Sequence, residues 1–309
     1  MAAVAVTGGA FAQATLTGTL AYGYVTATSG AGATTSGGSM DTSTLKFTAT
    51  ADLGDGNSVT AYISTDGSGG RTASMAMDDQ EIILKMSGVT MNAGSKKGGD
   101  WLTGATGGAT WYGLDGRITS ARTTNEEVGI SMPIMEGLTA SVTVAGPDNY
   151  AYSATGNGGS TSQSTQSYTL KYAAGPLAVK ANYKGYTNNY NTDSYSNNLS
   201  RVGAIYDLGF AKIGAAWDSL NYGGTGTRSR AMLSASAPVG PMNLNMEWAS
   251  TTTVSSILTT AGTRTGYMLG AQYNLSKRTS AVLNYGSWLK TVGDAQNTSL
   301  TAATVIHNF

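Results

Sequence analysis

Ala174-Gly175-Pro176-Leu177-Ala178-Val179-Lys180-Ala181-Asn182-Tyr183-Lys184 is a tight turn followed by strict alternation. In an extended chain Leu177, Val179, Ala181 and Tyr183 share one face, and Ala178, Lys180, Asn182 and Lys184 share the other. The period is two rather than 3.6, which specifies a strand with one apolar and one wet face. The same pattern recurs on both sides. Leu45, Phe47, Ala49 and Ala51 alternate with Lys46, Thr48 and Thr50. Leu138, Ala140, Val142 and Val144 alternate with Thr139, Ser141 and Thr143. Leu244, Met246 and Trp248 are spaced by Asn245 and Glu247, and Thr279, Ala281, Leu283 and Tyr285 by Ser280, Val282 and Asn284.

The connections sort into two lengths. Short turns with Gly, Pro, Asn or Asp fall at Gly54 to Asn57, Ser87-Gly88, Pro133 to Gly137, Ala174 to Pro176, Asp207 to Gly209, Val239 to Pro241 and Asn274 to Lys277. Long Gly/Ser/Thr/Asn-rich segments lie near 28–41, 66–78, 95–121, 146–163, 187–198, 220–228, 252–262 and 289–296, none with a helical period or a cap signature. Eight long and seven short connections separate sixteen strands. A soluble sandwich does not sort its connections in this way, and it needs larger apolar residues on its buried faces. The wet faces read as polar throughout, so the pattern specifies a sixteen-stranded antiparallel barrel with oily outside and watery inside. Strands of about nine to eleven tilted residues cross a bilayer, and closure satisfies every backbone group. Tyr22, Tyr24, Tyr62, Tyr168, Tyr172, Tyr183, Tyr206, Trp217, Trp248, Tyr267, Tyr273 and Tyr285 fit interfacial girdles. A secreted β-rich adhesin or surface-layer protein is the alternative of a different class.

Composition removes most other functions. The chain has 309 residues, no Cys, one His, and 18 Lys plus Arg against 18 Asp plus Glu. Without Cys there is no disulfide scaffold, thiolate metal site or cysteine nucleophile. Zero net charge argues against nucleic acid as a partner. The single His307 is third from the end, which leaves a hydrolytic triad without a base. The run Gly67 to Gly70 is followed by no helix, and Asp55, Asp66, Asp78 and Asp79 lack Asp-x-Asp-x-Asp spacing and read as solvated turn acids. The chemistry is non-enzymatic and no cofactor is implied. At the start, Ala2 to Val6 followed by Ala10-Phe11-Ala12 reads as an export-signal remnant over residues 1–13, leaving one barrel domain over 14–309.

The C-terminal letters resemble a known family. Tyr273-Asn274-Leu275-Ser276-Lys277-Arg278-Thr279 and the closing Val305-Ile306-His307-Asn308-Phe309 are similar to the last hairpin of Gram-negative general diffusion porins of the beta-proteobacterial type. Arg122-Thr123-Thr124-Asn125-Glu126-Glu127-Val128, ahead of Pro133 and Gly137 to Ala140, resembles that family's strand after the third loop. One departure is Asn92-Ala93-Gly94-Ser95-Lys96-Lys97, where the family carries a compact Gly-Arg motif. The resemblance implies an outer-membrane homotrimer exported through the periplasm, in contact with lipid and lipopolysaccharide. It implies passive passage of small hydrophilic solutes and ions, with a substrate-specific, sugar-type channel as the alternative. It also implies that the exposed terminal edge bearing Val305, His307 and Phe309 is a signal read by the outer-membrane assembly machinery.

Alternation sends Lys46, Lys85, Arg122, Lys171, Lys180, Lys184, Arg201, Lys212, Arg230, Arg264 and Arg278 to the lumen, against Glu81, Glu127, Asp218 and Glu247. The long segment 95–121 is expected to fold into the bore, pinned by Trp101, Trp111 and Tyr112, with Arg117 among its charges. Asp100 and Asp115 are expected to face Lys46, Lys85 and Arg122 across the narrowest point, with Glu127 and Lys180 nearby. The inward cationic excess predicts a preference for anions.

Overall fold

The computed structural model describes residues 12–67, 76–97, 101–119, 124–146, 163–188, 197–222, 226–255, 261–294 and 296–309. They form sixteen strands closed into one antiparallel barrel, each paired with its sequence neighbours and β1 with β16. The strands are β1 (Ala12–Thr28), β2 (Thr34–Gly54), β3 (Asn57–Asp66), β4 (Ala76–Met86), β5 (Val89–Lys97), β6 (Thr124–Met135), β7 (Leu138–Ala145) and β8 (Gln163–Ala174). The other half comprises β9 (Leu177–Asn188), β10 (Asn198–Asp207), β11 (Lys212–Asn221), β12 (Gly226–Val239), β13 (Met242–Ser255), β14 (Gly262–Asn274), β15 (Thr279–Trp288) and β16 (Thr298–Asn308). A six-residue helix, α1 (Trp101–Thr106), interrupts the third long connection.

Side chains alternate as the sequence dictates. Phe47, Leu170, Tyr183, Leu233 and Leu283 are exposed on the outer wall. Their neighbours Lys46, Thr169, Asn182, Ser234 and Asn284 turn inward and are half-buried or buried. The short turns all lie at one end. At Asp55-Gly56 and Ser87-Gly88 both residues have positive φ, the geometry that matches a two-residue hairpin to strand twist.

Five readings change. β2 begins at Thr34, so most of the segment near 28–41 is strand. A hydroxyl ladder, Thr26 to Ser36 and Thr28 to Thr34, runs along that extension. Residues 101–106 are helical although nothing in their pattern repeats at 3.6. The inner faces are not polar throughout: Met232, Met268, Val282, Leu300 and Ile306 point inward and are buried. Tyr62 is no girdle residue, because β3 turns it into the lumen, where it is 9% exposed. The C-terminal edge is also paired rather than exposed: Phe309 and Gly18 exchange two backbone hydrogen bonds of 3.0 Å. β1 starts at Ala12, with Ala12 and Gln13 opposite Ala51 and Thr50. The rest of the segment read as an export signal, and the connection 68–75, lie outside the described residues.

Candidate functional site: a lumen narrowed by the third loop

The inward apolar residues mark where the third loop docks. Leu102, Ala105, Tyr112, Leu114 and Ile118 pack against Ala216, Met232, Ala249, Met268, Trp288, Leu300 and Ala302 of the wall. Leu102, Leu114 and Ile118 are at most 1% exposed, and each such burial stabilises by about 1.5–3 kcal/mol. The loop therefore seals one side of the bore with a dry core and leaves the other side open.

Close approach of α1 requires small residues beneath it. An added Cβ at Gly214 would stand 2.0 Å from the Thr106 carbonyl oxygen, and one at Gly203 2.6 Å from the Ala105 methyl. Ser234 then donates to the Thr106 carbonyl at 2.5 Å, and Thr251 donates to the Ile118 carbonyl at 2.6 Å. Glu247 is fully buried under the loop and accepts the Thr110 N–H at 3.1 Å and the Leu114 N–H at 3.3 Å. One carboxylate thus satisfies two loop donors that would otherwise be buried without partners.

The loop is also tied across to β2. The β1–β2 register slips between Ala21 and Tyr22, which leaves Asp41 as an extra residue opposite that step. Such a bulge re-aims a side chain that plain alternation would send outward. The Asp41 carboxylate accepts the Trp111 indole N–H at 2.6 Å. Tyr112 lies 3.4 Å from the Thr304 hydroxyl, and burial pushes its phenol pKa up. Arg117 donates to the Gly113 carbonyl at 2.7 Å, and burial lowers its pKa.

The open side is a cavity of about 400 Å³ beside Trp101. Lys171, Lys180, Lys184 and Arg201 line it from β8–β10, and Glu81, Lys96 and Glu127 from β4–β6. Lys180 is paired directly across from Lys171, an arrangement of like charges that costs stability. The centre of the Trp101 ring is 5.0 Å from Lys180 Nζ and 5.4 Å from the Arg201 guanidinium. Arg201 stands opposite Asp218, whose carboxylate binds Arg230 through Nε at 2.8 Å. On the facing wall Glu81 accepts the Tyr62 hydroxyl at 2.7 Å, Asn92 Nδ2 at 3.0 Å and Lys96 Nζ at 3.5 Å.

Of the residues singled out from the sequence, Glu127 and Lys180 line this cavity together. Lys46 lies over the Tyr62 ring, 3.5 Å from its centre. Lys85 is exposed beside the Ser87-Gly88 turn, four positions along β4 from Glu81. Asp115 and Arg117 belong to the docked part of the loop. Asp100 and Arg122 fall outside the described residues. Sequence reasoning missed Asp41 and the structural use of Glu247. The usable signal for the docking face was the inward set Met232, Met268, Leu300 and Ile306, apolar where alternation calls for polar side chains.

Comparison with known proteins agrees with this architecture. The sequence matches no curated protein. Solved structures of outer-membrane channels have the same fold. The anion-selective porin from Comamonas acidovorans superposes with a TM-score of 0.76 at 19% identity, covering 96% of this chain and 100% of its own. The outer-membrane channel DcaP of Acinetobacter baumannii gives 0.76 at 10% identity over 100% of both chains. OmpF of Salmonella typhi, in complex with daunomycin, gives 0.74 at 12% identity, covering 96% of this chain and 98% of its own. The model of the Gram-negative porin family matches residues 1–289. This membership, together with the closed barrel, replaces the secreted β-rich alternative and points to a channel rather than an enzyme. With its apolar outer wall, charged bore and inserted third loop, the chain belongs to the Gram-negative porins, outer-membrane channels for diffusion.

Proposed function

We propose that the channel passes small hydrophilic solutes and ions passively and prefers anions. The carrying observation is the charge of the open cavity, where five cations, Lys96, Lys171, Lys180, Lys184 and Arg201, meet two carboxylates, Glu81 and Glu127. Rings of charge at close quarters select the opposite sign. The Comamonas acidovorans neighbour is named as anion-selective, and the same property is proposed for this chain on its own residues. The field runs from the Lys180–Arg201 wall toward the Glu81–Glu127 wall, with Lys46 adding positive charge beside Tyr62. Asp100, immediately before α1, and Arg122, at the return of the loop, are proposed to extend it, with Lys85 acting at the turn end and Asp115 and Arg117 near the loop's far end. Reversal potential in a KCl gradient tests the assignment: a permeability ratio favouring chloride supports it and one favouring potassium overturns it. D100N and R122Q, measured the same way, test those two positions.

A sugar-type channel is the second reading, favoured by Trp101 on the cavity wall. Liposome swelling separates the two: a smooth cutoff with solute size marks a general pore, and saturation by one sugar marks a specific one. A homotrimer is also proposed. The outer face over β1–β6 carries Ala14, Ala49, Ala61 and Ala93 with Gln80, Ser95 and Glu126. A carboxylate facing lipid is unfavourable, and a second protomer packed on this face, where Phe47, Ile63 and Ile82 are also exposed, removes it from lipid. Cross-linking in unboiled outer-membrane extracts that yields only monomer would argue against it. Export through the periplasm, recognition of the Val305, His307 and Phe309 edge by the assembly machinery before β16 pairs with β1, and contact of the outer wall with lipopolysaccharide complete the proposal.

A further inference from the structure

A second charged chamber lies at the long-connection end of the bore, apart from the cavity at Trp101. Its volume is about 510 Å³. Arg117 enters it from the third loop, Arg228 from β12, Arg264 from β14 and Lys290 from the β15–β16 connection, with Tyr222 and Trp288 as its aromatic walls. No Asp or Glu is among the described residues that line it. None of the four cations forms an ion pair with a described residue.

The cations are pre-oriented. Arg117 is held by its bond to the Gly113 carbonyl and lies 5.1 Å from the centre of the Trp288 ring. Arg264 donates to the Lys290 carbonyl at 2.8 Å and so tethers the segment that carries Lys290. Arg228 Nε is buried with no hydrogen-bond partner among the described residues. A desolvated donor on a charged group is costly to leave unmade, and an arriving acceptor removes that cost. Planar guanidinium forks match oxyanions two bonds at a time, whereas a halide meets each only as a point charge.

We propose that this chamber is a binding station for a small polyvalent oxyanion, inorganic phosphate or a compact di- or tricarboxylate, held at the mouth before it passes the third loop. The station rests on the channel reading for its use, but binding itself needs no conduction. Titration calorimetry of sodium phosphate, and separately sodium citrate, into the detergent-folded protein tests it, with folding checked by heat-modifiable gel migration. Saturable binding is expected with at least one of the two, and the pair identifies which oxyanion is favoured. Affinity should fall by about tenfold or more in R228Q/R264Q and stay unchanged in K212Q, whose exposed side chain lies against Asp207 at the turn end. The exposed K290Q variant provides the same test, with a smaller loss, if the double variant does not fold. No binding by the wild type, equal affinity in R228Q/R264Q, or equally tight binding of acetate would each overturn the station. Binding that persists in a protein with no bilayer conductance would refute the channel reading and leave the station standing.

Discussion

Glu247 and Lys180 both occupy inward positions on strands, and they do opposite things. Glu247 is fully buried and accepts two loop N–H groups, so its charge is used to hold backbone. Replacing it with Ala leaves both donors without an acceptor, at about 1–3 kcal/mol each. E247A is therefore expected to loosen the third loop, raising single-channel conductance and open-channel noise. E247Q keeps one carbonyl acceptor and should fall between the two. An E247A channel with wild-type conductance and noise would show that Glu247 does not hold the third loop. Lys180 lies opposite Lys171 and beside Trp101, where its charge opposes folding but faces the path. K180Q is expected to stabilise the barrel by a few tenths to about 1 kcal/mol, read by urea unfolding in detergent, and to lower the chloride-to-potassium permeability ratio. Loss of both stability and selectivity would show that Lys180 is structural.

At the scale of elements, α1 exists because the wall makes room for it. Six residues cannot hold a helix alone. Leu102 and Ala105 are buried, and β10 and β11 present Gly203, Gly214 and Ala216 beneath them. G214V places a branched side chain where the Thr106 carbonyl oxygen now stands, and overpacking of this kind costs about 1–3 kcal/mol. The barrel should still form, because Gly214 pairs with its neighbours through backbone alone. The third loop should become cleavable by added protease, and an uncleaved G214V loop would contradict this account. The same element shows what the sequence discloses. Strands, turn ends and the outward girdle of Tyr168, Tyr183, Trp217 and Tyr285 follow from a period of two, since each depends on residues adjacent in the chain. The loop's seat does not. It depends on Glu247, 137 positions from Thr110, and on Asp41, whose inward aim comes from a bulge that no alternation records. The charges of the open cavity are half legible for the same reason. Glu127 and Lys180 follow from alternation, whereas which walls the loop leaves open follows from where its apolar side chains find partners.

The whole molecule is electrically neutral, with 18 cationic and 18 acidic side chains, yet its open cavity holds five cations against two carboxylates. A selectivity that comes from this local excess acts through space and is screened by salt. The Debye length is about 10 Å at 0.1 M and about 3 Å at 1 M. Solutes crossing the bore feel several walls at the lower concentration and only the nearest side chains at the higher. The chloride-to-potassium permeability ratio is therefore expected to fall steadily as mean KCl rises from 0.1 to 1 M, measured at a fixed concentration gradient. The K180E/K184E channel, with three cations against four carboxylates, should show the reverse trend, starting from a cation-favouring ratio and rising toward unity. Discrimination that held constant across this range would have to arise from contact or size, since neither depends on screening. In that case the assignment of anion preference to Lys171, Lys180, Lys184 and Arg201 as a field would fail, even with every strand of the barrel in place.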